Sequence, residues 1–350
     1  MITYKCNCGG RLFFNNTFCT GCGQEVAWCE SCRSVAPLNQ ADNGYRCGNP
    51  KCGRAVAKCH NHAAHAVCNR VLVCDESSVG KLCKACGLNG VIPDLSVAGN
   101  HERWAKLEIA KRRLLYQLDQ LGLKYAVEDL PEGVKPLRFS FQANTPKSTV
   151  FTGHSDGLIM INLAEADPVE RERARTQFHE PHRSLLGHMR HEIGHYYWMT
   201  LVENRCEDEF IARFGDYRQP TYAEAINHYY QTGPAANWPA RFVSAYASAH
   251  PWEDFAETWG LYLDMWAVAT TTRHHLPSLL KSPEEMPVDV LVKCYQQLGV
   301  FFNEINRTMG LTDLVPEVIA PPVVEKINFI HRLLGAQETV VQSVDTSIND

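Results

Sequence analysis

The sequence predicts an α+β protein: small cysteine-rich modules come first, followed by a mostly helical domain with a small β-sheet. Three observations carry this expectation. Thirteen of the fifteen cysteines fall in residues 1–86, leaving only Cys206 and Cys294 for the remainder. From residue 100 onward, apolar residues recur at helical spacing, and two short runs alternate like strands. A length of 350 residues accommodates one sizeable domain beside smaller ones.

Composition sets the bounds. A hydrophobic share of 45% and a charged share of 21% are ordinary for a globular chain. The start, Met1 to Cys6, lacks the apolar core of a signal peptide, and no run approaches a membrane span, so a cytoplasmic protein is expected. Cysteines there stay reduced, and reduced cysteines at regular spacing point to metal.

The cysteines sort into groups of four. Cys6-x-Cys8 pairs with Cys19-x-x-Cys22, and Cys29-x-x-Cys32 with Cys47 and Cys52. A third group is Cys59, Cys68, Cys83 and Cys86, for which Cys74, His60, His62 and His65 compete as ligands. Short Cys-x-x-Cys turns suit tetrahedral Zn²⁺ because successive backbone amides aim both sulfurs at one point. Units this small bury too little apolar surface to fold alone, so two to three structural zinc ions are expected. Residues 1–90 hold ten Lys/Arg against five Asp/Glu, which would suit nucleic acid. Four thiolates around each Zn²⁺ leave a charge of about −2, which cancels that excess. A structural role, or docking of a substrate or protein partner, is therefore favoured over nucleic acid, and no membrane partner is expected.

Ile92-Pro93-Asp94-Leu95 closes this region, setting a domain boundary after residue 90. Asn100 is an N-cap candidate for a helix carrying Trp104, Leu107, Lys111, Leu114, Leu115, Leu118 and Leu121, ended by Gly122. Lys111-Arg112-Arg113 reads as a solvated face. Leu137 to Phe141 and Gly157 to Leu163 read as strands, with a turn over residues 153–157 between them. The second strand, 157–163, is a candidate edge for an extended substrate.

The most informative stretch is Gly187 to Trp198, which contains His191-Glu192-Ile193-Gly194-His195. On a helix the two histidines lie one turn apart on one face and can share a Zn²⁺, with Glu192 placed to take a proton from water. That combination points to a zinc hydrolase. His179, His182 and His188 precede it, and His188 suits packing or support of a ligand better than ligation. A hydrolytic zinc needs a third protein ligand and one open position. The extended motif with a further Gly and His fails, since Trp198 and Leu201 stand there. A later carboxylate must serve. In His250-Pro251-Trp252-Glu253-Asp254-Phe255-Ala256-Glu257, Pro251 suits a first helical turn and the two glutamates share a face. Glu253 is assigned to the metal and Glu257 to a ligand imidazole, with Ala256 and Gly260 small enough for close helix packing. The alternative is an acidic, solvated turn with Asp254.

These stretches, together with Cys6 to Gly9, Asn162 to Asp167 and Phe242 to Glu257, resemble a bacterial zinc-binding metallopeptidase family. Its members join an N-terminal zinc-ribbon region to a zincin-like catalytic domain. The resemblance implies one catalytic zinc held by His191, His195 and Glu253, Glu192 as base, and a peptide or protein substrate. More distantly, Tyr246 to Glu253 is similar to anthrax lethal factor-like peptidases, where a tyrosine precedes the ligand glutamate by seven residues. That similarity implies that Tyr246 donates to the oxyanion.

The peptidase domain is expected over residues 91–336. Residues 205–240 should add helices broken at Gly233-Pro234, and a short amphipathic helix over 323–334 should stop at Gly335. The tail, 337–350, lacks large apolar clusters and is expected to be mobile. The rival reading is a zinc-ribbon adaptor for protein or nucleic acid with an inactive or gated hydrolase domain. The base Glu192 argues against it, because a purely structural site does not need one.

Overall fold

The computed structural model describes residues 1–41, 44–74, 80–125, 130, 134–177, 184–283 and 286–345. It is a mixed fold, 46% helix and 16% strand. The strands are β1 Tyr4–Lys5, β2 Arg11–Leu12, β3 Val26–Cys29, β4 Ser34–Ala41, β5 Gly44–Cys47, β6 Ala55–Lys58, β7 Arg70–Val73, β8 Asn89–Val91, β9 Arg138–Gln142, β10 Gly153–Ser155 and β11 Leu158–Asn162. The helices are α1 His60–Ala63, α2 Lys84–Gly87, α3 Asn100–Gln120, α4 Pro168–Gln177, α5 Leu185–Leu201, α6 Glu207–Phe214, α7 Tyr222–Thr232, α8 Pro251–His275, α9 Val288–Thr308 and α10 Pro321–Asp345. The chain packs as two compact units, residues 1–113 with 138–152 and 160–168, and residues 114–137 with 153–159 and 169–350.

In the first unit β3 to β7 close into a barrel, with β3 and β4 antiparallel (Trp28 opposite Val35) and β3 and β7 parallel (Trp28 opposite Arg70). A five-stranded barrel has a narrow interior. Small residues fill it: Ala27, Ala36, Leu38, Val56 and Val71, together with Cys29 and Cys47. The hairpin β1–β2 leans on the barrel through Trp28, whose ring meets Tyr4 at 5.9 Å and Phe14 at 5.2 Å.

The α3 helix begins and ends close to where its apolar spacing placed it, and Gly122 just beyond takes a positive φ of 65°. Two of the three residues of its basic run do not face solvent. Lys111 and Arg112 are buried: Lys111 Nζ lies 2.9 Å from the buried Glu108, and Arg112 donates to the Val67 carbonyl at 2.5 Å. A carboxylate one turn away and a backbone carbonyl gave these cations partners that a charge count cannot reveal.

The hairpin into β11 also differs. The residue pair Asp156-Gly157, both at positive φ, makes a tighter turn than expected and frees residues 153–155 to form β10. The sheet order is β10–β11–β9–β8, so β11 has a strand on each side. Residues 157–163 therefore offer no free edge, and the outer position belongs to β10.

In the second unit α5 and α8 cross at backbone contact. A Cβ on Gly194 would lie 2.8 Å from the Ala256 Cα. Gly260 is less critical, since its nearest neighbour would be 3.9 Å away. Around this crossing pack Trp198, Phe210, Phe214, Phe255, Trp259 and Phe329. Asp254 is fully buried rather than solvated, with Lys326 of α10 2.6 Å away. Burial pushes the Asp254 carboxyl up to about 7, with Lys326 opposing it. Lys326→Met is expected to cost about 3 kcal/mol in denaturant unfolding, because it strands that carboxylate. A change below about 0.5 kcal/mol, the level of a neutral surface change, would show that the pair contributes little.

The α10 helix runs through Gly335 to Asp345, so the segment expected to be a mobile tail begins as helix. A lone glycine costs a helix only about 1 kcal/mol, which does not stop it. His179, His182 and residues 346–350 lie outside the described residues.

Candidate metal centres

The α5 helix starts at Ser184, whose hydroxyl accepts from the Gly187 amide at 2.9 Å, and it carries His191 and His195 on one face. The α8 helix starts at His250, whose Nδ1 accepts from the Trp252 amide at 3.1 Å while Nε2 donates to the Tyr217 carbonyl at 3.0 Å. With Pro251 at its first position, this capped turn presents Glu253, which is 1% exposed. The two helices bring three ligand atoms together. His191 Nε2 and His195 Nε2 are 3.2 Å apart, and Glu253 Oε2 lies 3.0 Å and 3.5 Å from them.

These separations decide what the cluster suits. Ligands about 2.1 Å from a tetrahedral Zn²⁺ lie about 3.4 Å from one another. Glu253 Oε2 is buried and faces both imidazole nitrogens, as expected of lone pairs aimed at one point. His191 Nδ1 donates to Glu257 Oε1 at 2.6 Å, which leaves Nε2 free to ligate, and Ser244 donates to the other oxygen of Glu257 at 2.7 Å. The donor set fits zinc.

Electrostatics agree. Burial works against charge on His191, but Glu253 and Glu257 outweigh it and hold its pKa well above the ordinary imidazole value. Burial likewise opposes charge on Glu253, and His195 and His191 reverse the sign, holding it well below the usual carboxylate range. Glu192 is buried, its Oε2 has no hydrogen-bond partner among the described residues, and it stands near enough to Tyr222 to act on it electrostatically. The Tyr246 ring lies 6.0 Å from that of His191, and burial, then Glu253, raises its phenol far above the ordinary value, so it remains a donor. His188 is half-buried one turn before His191 and is not among the converging ligands.

The structure also adds residues that the sequence reading missed. Tyr222 donates to Glu253 Oε1 at 2.7 Å. The Trp252 ring packs on His195 at 4.8 Å, and His154 of β10 stacks on it at 6.3 Å. Burial, then His195, lowers His154 to about 4, and its Nε2 accepts from the Gly157 amide at 3.1 Å. Only the Thr221-Tyr222-Ala223-Glu224 capping box gave a sequence signal, and it marks a helix start rather than a site.

In the first unit each expected cysteine group closes on itself. Sulfur pairs lie 3.8 Å (Cys6–Cys22), 3.7 Å (Cys8–Cys19), 4.0 Å (Cys29–Cys52), 3.7 Å (Cys32–Cys47) and 3.9 Å (Cys68–Cys83) apart. A disulfide needs about 2.05 Å, whereas thiolates around Zn²⁺ sit about 3.8 Å from one another. The third group consists of Cys59, Cys68, Cys83 and Cys86, without Cys74, His60, His62 or His65. Among the described residues, no helix is long and apolar enough to cross a membrane.

A mixed fold that carries a His-His-Glu cluster spanning two helices, and tetrathiol clusters in its other unit, defines a protein with several sites suited to metal. Residues 100–333 match the family described as "Putative zinc-binding metallo-peptidase", and residues 3–97 match a zinc-ribbon domain. The chain belongs to this zinc-binding metallopeptidase family. It is 35% identical over 346 residues to uncharacterized proteins of Mycobacterium bovis and of Mycobacterium tuberculosis strains CDC 1551 and H37Rv, covering 95% of each chain. No solved structure matches it.

Proposed function

We propose that the chain is a zinc-dependent peptidase of the Glu-zincin type, acting in the cytoplasm on peptide or protein substrates. His191, His195 and Glu253 hold one catalytic zinc, and Glu257 orients His191. Bound there, zinc would supply Lewis acidity, polarising the scissile carbonyl and easing deprotonation of water. Glu192 takes the proton of the attacking water and delivers it to the leaving amine. Tyr246 donates to the developing oxyanion. The observation that carries this reading is the convergence of three ligand atoms from α5 and α8 within 3.5 Å of one another.

The test compares new protein N-termini in a cell lysate treated with wild type or with Glu192→Gln. Termini made only by wild type and suppressed by chelator are expected. Identical termini from both proteins would remove Glu192 from the chemistry.

We further propose that residues 1–90 hold three structural zinc ions, in the three tetrathiol groups, and serve to dock a substrate or protein partner. Metal stabilises small modules by about 10–16 kcal/mol. Cys29 and Cys47 belong to the barrel core, so exhaustive chelation should unfold the barrel and expose Trp28 to water. A Trp28 environment unchanged after metal removal would show that the barrel stands without it.

A further inference from the structure

We propose that Tyr222 is a positioning residue for the catalytic centre: its hydroxyl holds one oxygen of Glu253, so that only the other turns toward His191 and His195. This role rests on the reading of Glu253 as a metal ligand. A carboxylate can meet a cation through either oxygen or through both, and these modes place the cation differently. Here Oε1 receives the Tyr222 hydroxyl at 2.7 Å, while Oε2 lies 3.0 Å and 3.5 Å from the two imidazole nitrogens. The division of labour within one side chain is thus visible.

The phenol is held in place for this task. Its ring meets His250 edge-on at 5.2 Å and Trp252 at 5.6 Å, and Trp252 in turn packs on His195. One wedge of rings therefore touches the cap of α8 and a histidine of α5. On the other side, Tyr222 is the first residue of α7, directly after the Thr221 cap, where Thr221 and Glu224 hydrogen-bond reciprocally. The α7 helix buries only Ala225. Packing of the helix alone therefore does not require a tyrosine at this place. The hydroxyl reaches the carboxylate, and Tyr246 lies within hydrogen-bonding reach of that same hydroxyl.

Tyr222→Phe keeps the ring and removes the hydroxyl. In the full-length protein, zinc uptake is titrated against a chromogenic chelator, and the centre is identified as the zinc that wild type binds and His195→Ala does not. Tyr222→Phe is expected to weaken that zinc by about 10- to 100-fold, the usual effect of losing a group that orients a ligand. In a Glu253→Ala background the same change should cost no affinity, since there is no carboxylate left to orient. Wild-type affinity in Tyr222→Phe, or an equal loss in the Glu253→Ala background, would overturn the role and leave the centre standing. Equal zinc content in wild type and His195→Ala would overturn the reading of the centre, and this role with it. Melting in zinc-free buffer separates the two kinds of contribution: a packing role shifts the midpoint without moving zinc affinity.

Discussion

Glu192→Gln is expected to lower peptide hydrolysis by about 10²- to 10⁴-fold while zinc uptake stays at the wild-type level. The substitution keeps shape and hydrogen-bonding capacity but removes the ability to accept a proton. Glu192 neighbours His191 on α5 and is buried, yet it does not belong to the converging ligand group. Proton transfer and metal retention should therefore separate in one variant. The measurement pairs turnover of a peptide found in the lysate experiment with zinc content per chain. If zinc were lost together with turnover, Glu192 would move to the ligand set. If turnover persisted, another group would carry the proton.

The second large effect is structural. Gly194→Ala places a methyl group 2.8 Å from the Ala256 Cα, 3.1 Å from the Trp259 Cβ and 3.2 Å from the Ala256 carbonyl oxygen. Two of these three neighbours are backbone, which cannot rotate away. The helices must part, at about 3 kcal/mol, the upper end for overpacking. They also carry opposite sides of the centre, so zinc affinity should fall in parallel. Gly260→Ala provides the contrast on the same interface. Its methyl would meet nothing closer than 3.9 Å, and the gain in helix propensity should leave stability unchanged or slightly raised. Denaturant unfolding with zinc titration on both variants checks this. Equal behaviour would mean that the close approach at Gly194 does not set the helix spacing.

Much of the site was legible because helical spacing converts sequence distance directly into geometry. His191 and His195 sit four apart, as do Glu253 and Glu257, so a period of 3.6 fixes which pairs share a face. The cysteine groups were legible for a related reason, since a Cys-x-x-Cys turn is a local object. What stayed hidden depended on contacts between distant segments. Tyr222 stands 31 residues before Glu253, and nothing local aims a phenol at the first turn of another helix. The barrel was equally silent, because its closure rests on β3 pairing in parallel with β7 some forty residues away. The buried fate of Lys111 and Arg112 required knowing that Glu108, Asn89 and the Val67 carbonyl would be waiting. The strand over 158–162 was found, but its place inside the sheet was not, because order within a sheet is set by partners from elsewhere.

The backbone contact between α5 and α8 has a consequence for control. His191, Glu192, His195, Glu253 and Glu257 all stand on these two helices, and Gly194 and Ala256 lock them at fixed distance. None of these five stands on a loop, whereas Tyr222 and Tyr246 come from other elements. An inhibitor of the proposed peptidase would therefore act by limiting access or metal, or by shifting these tyrosines, rather than by parting the two helices.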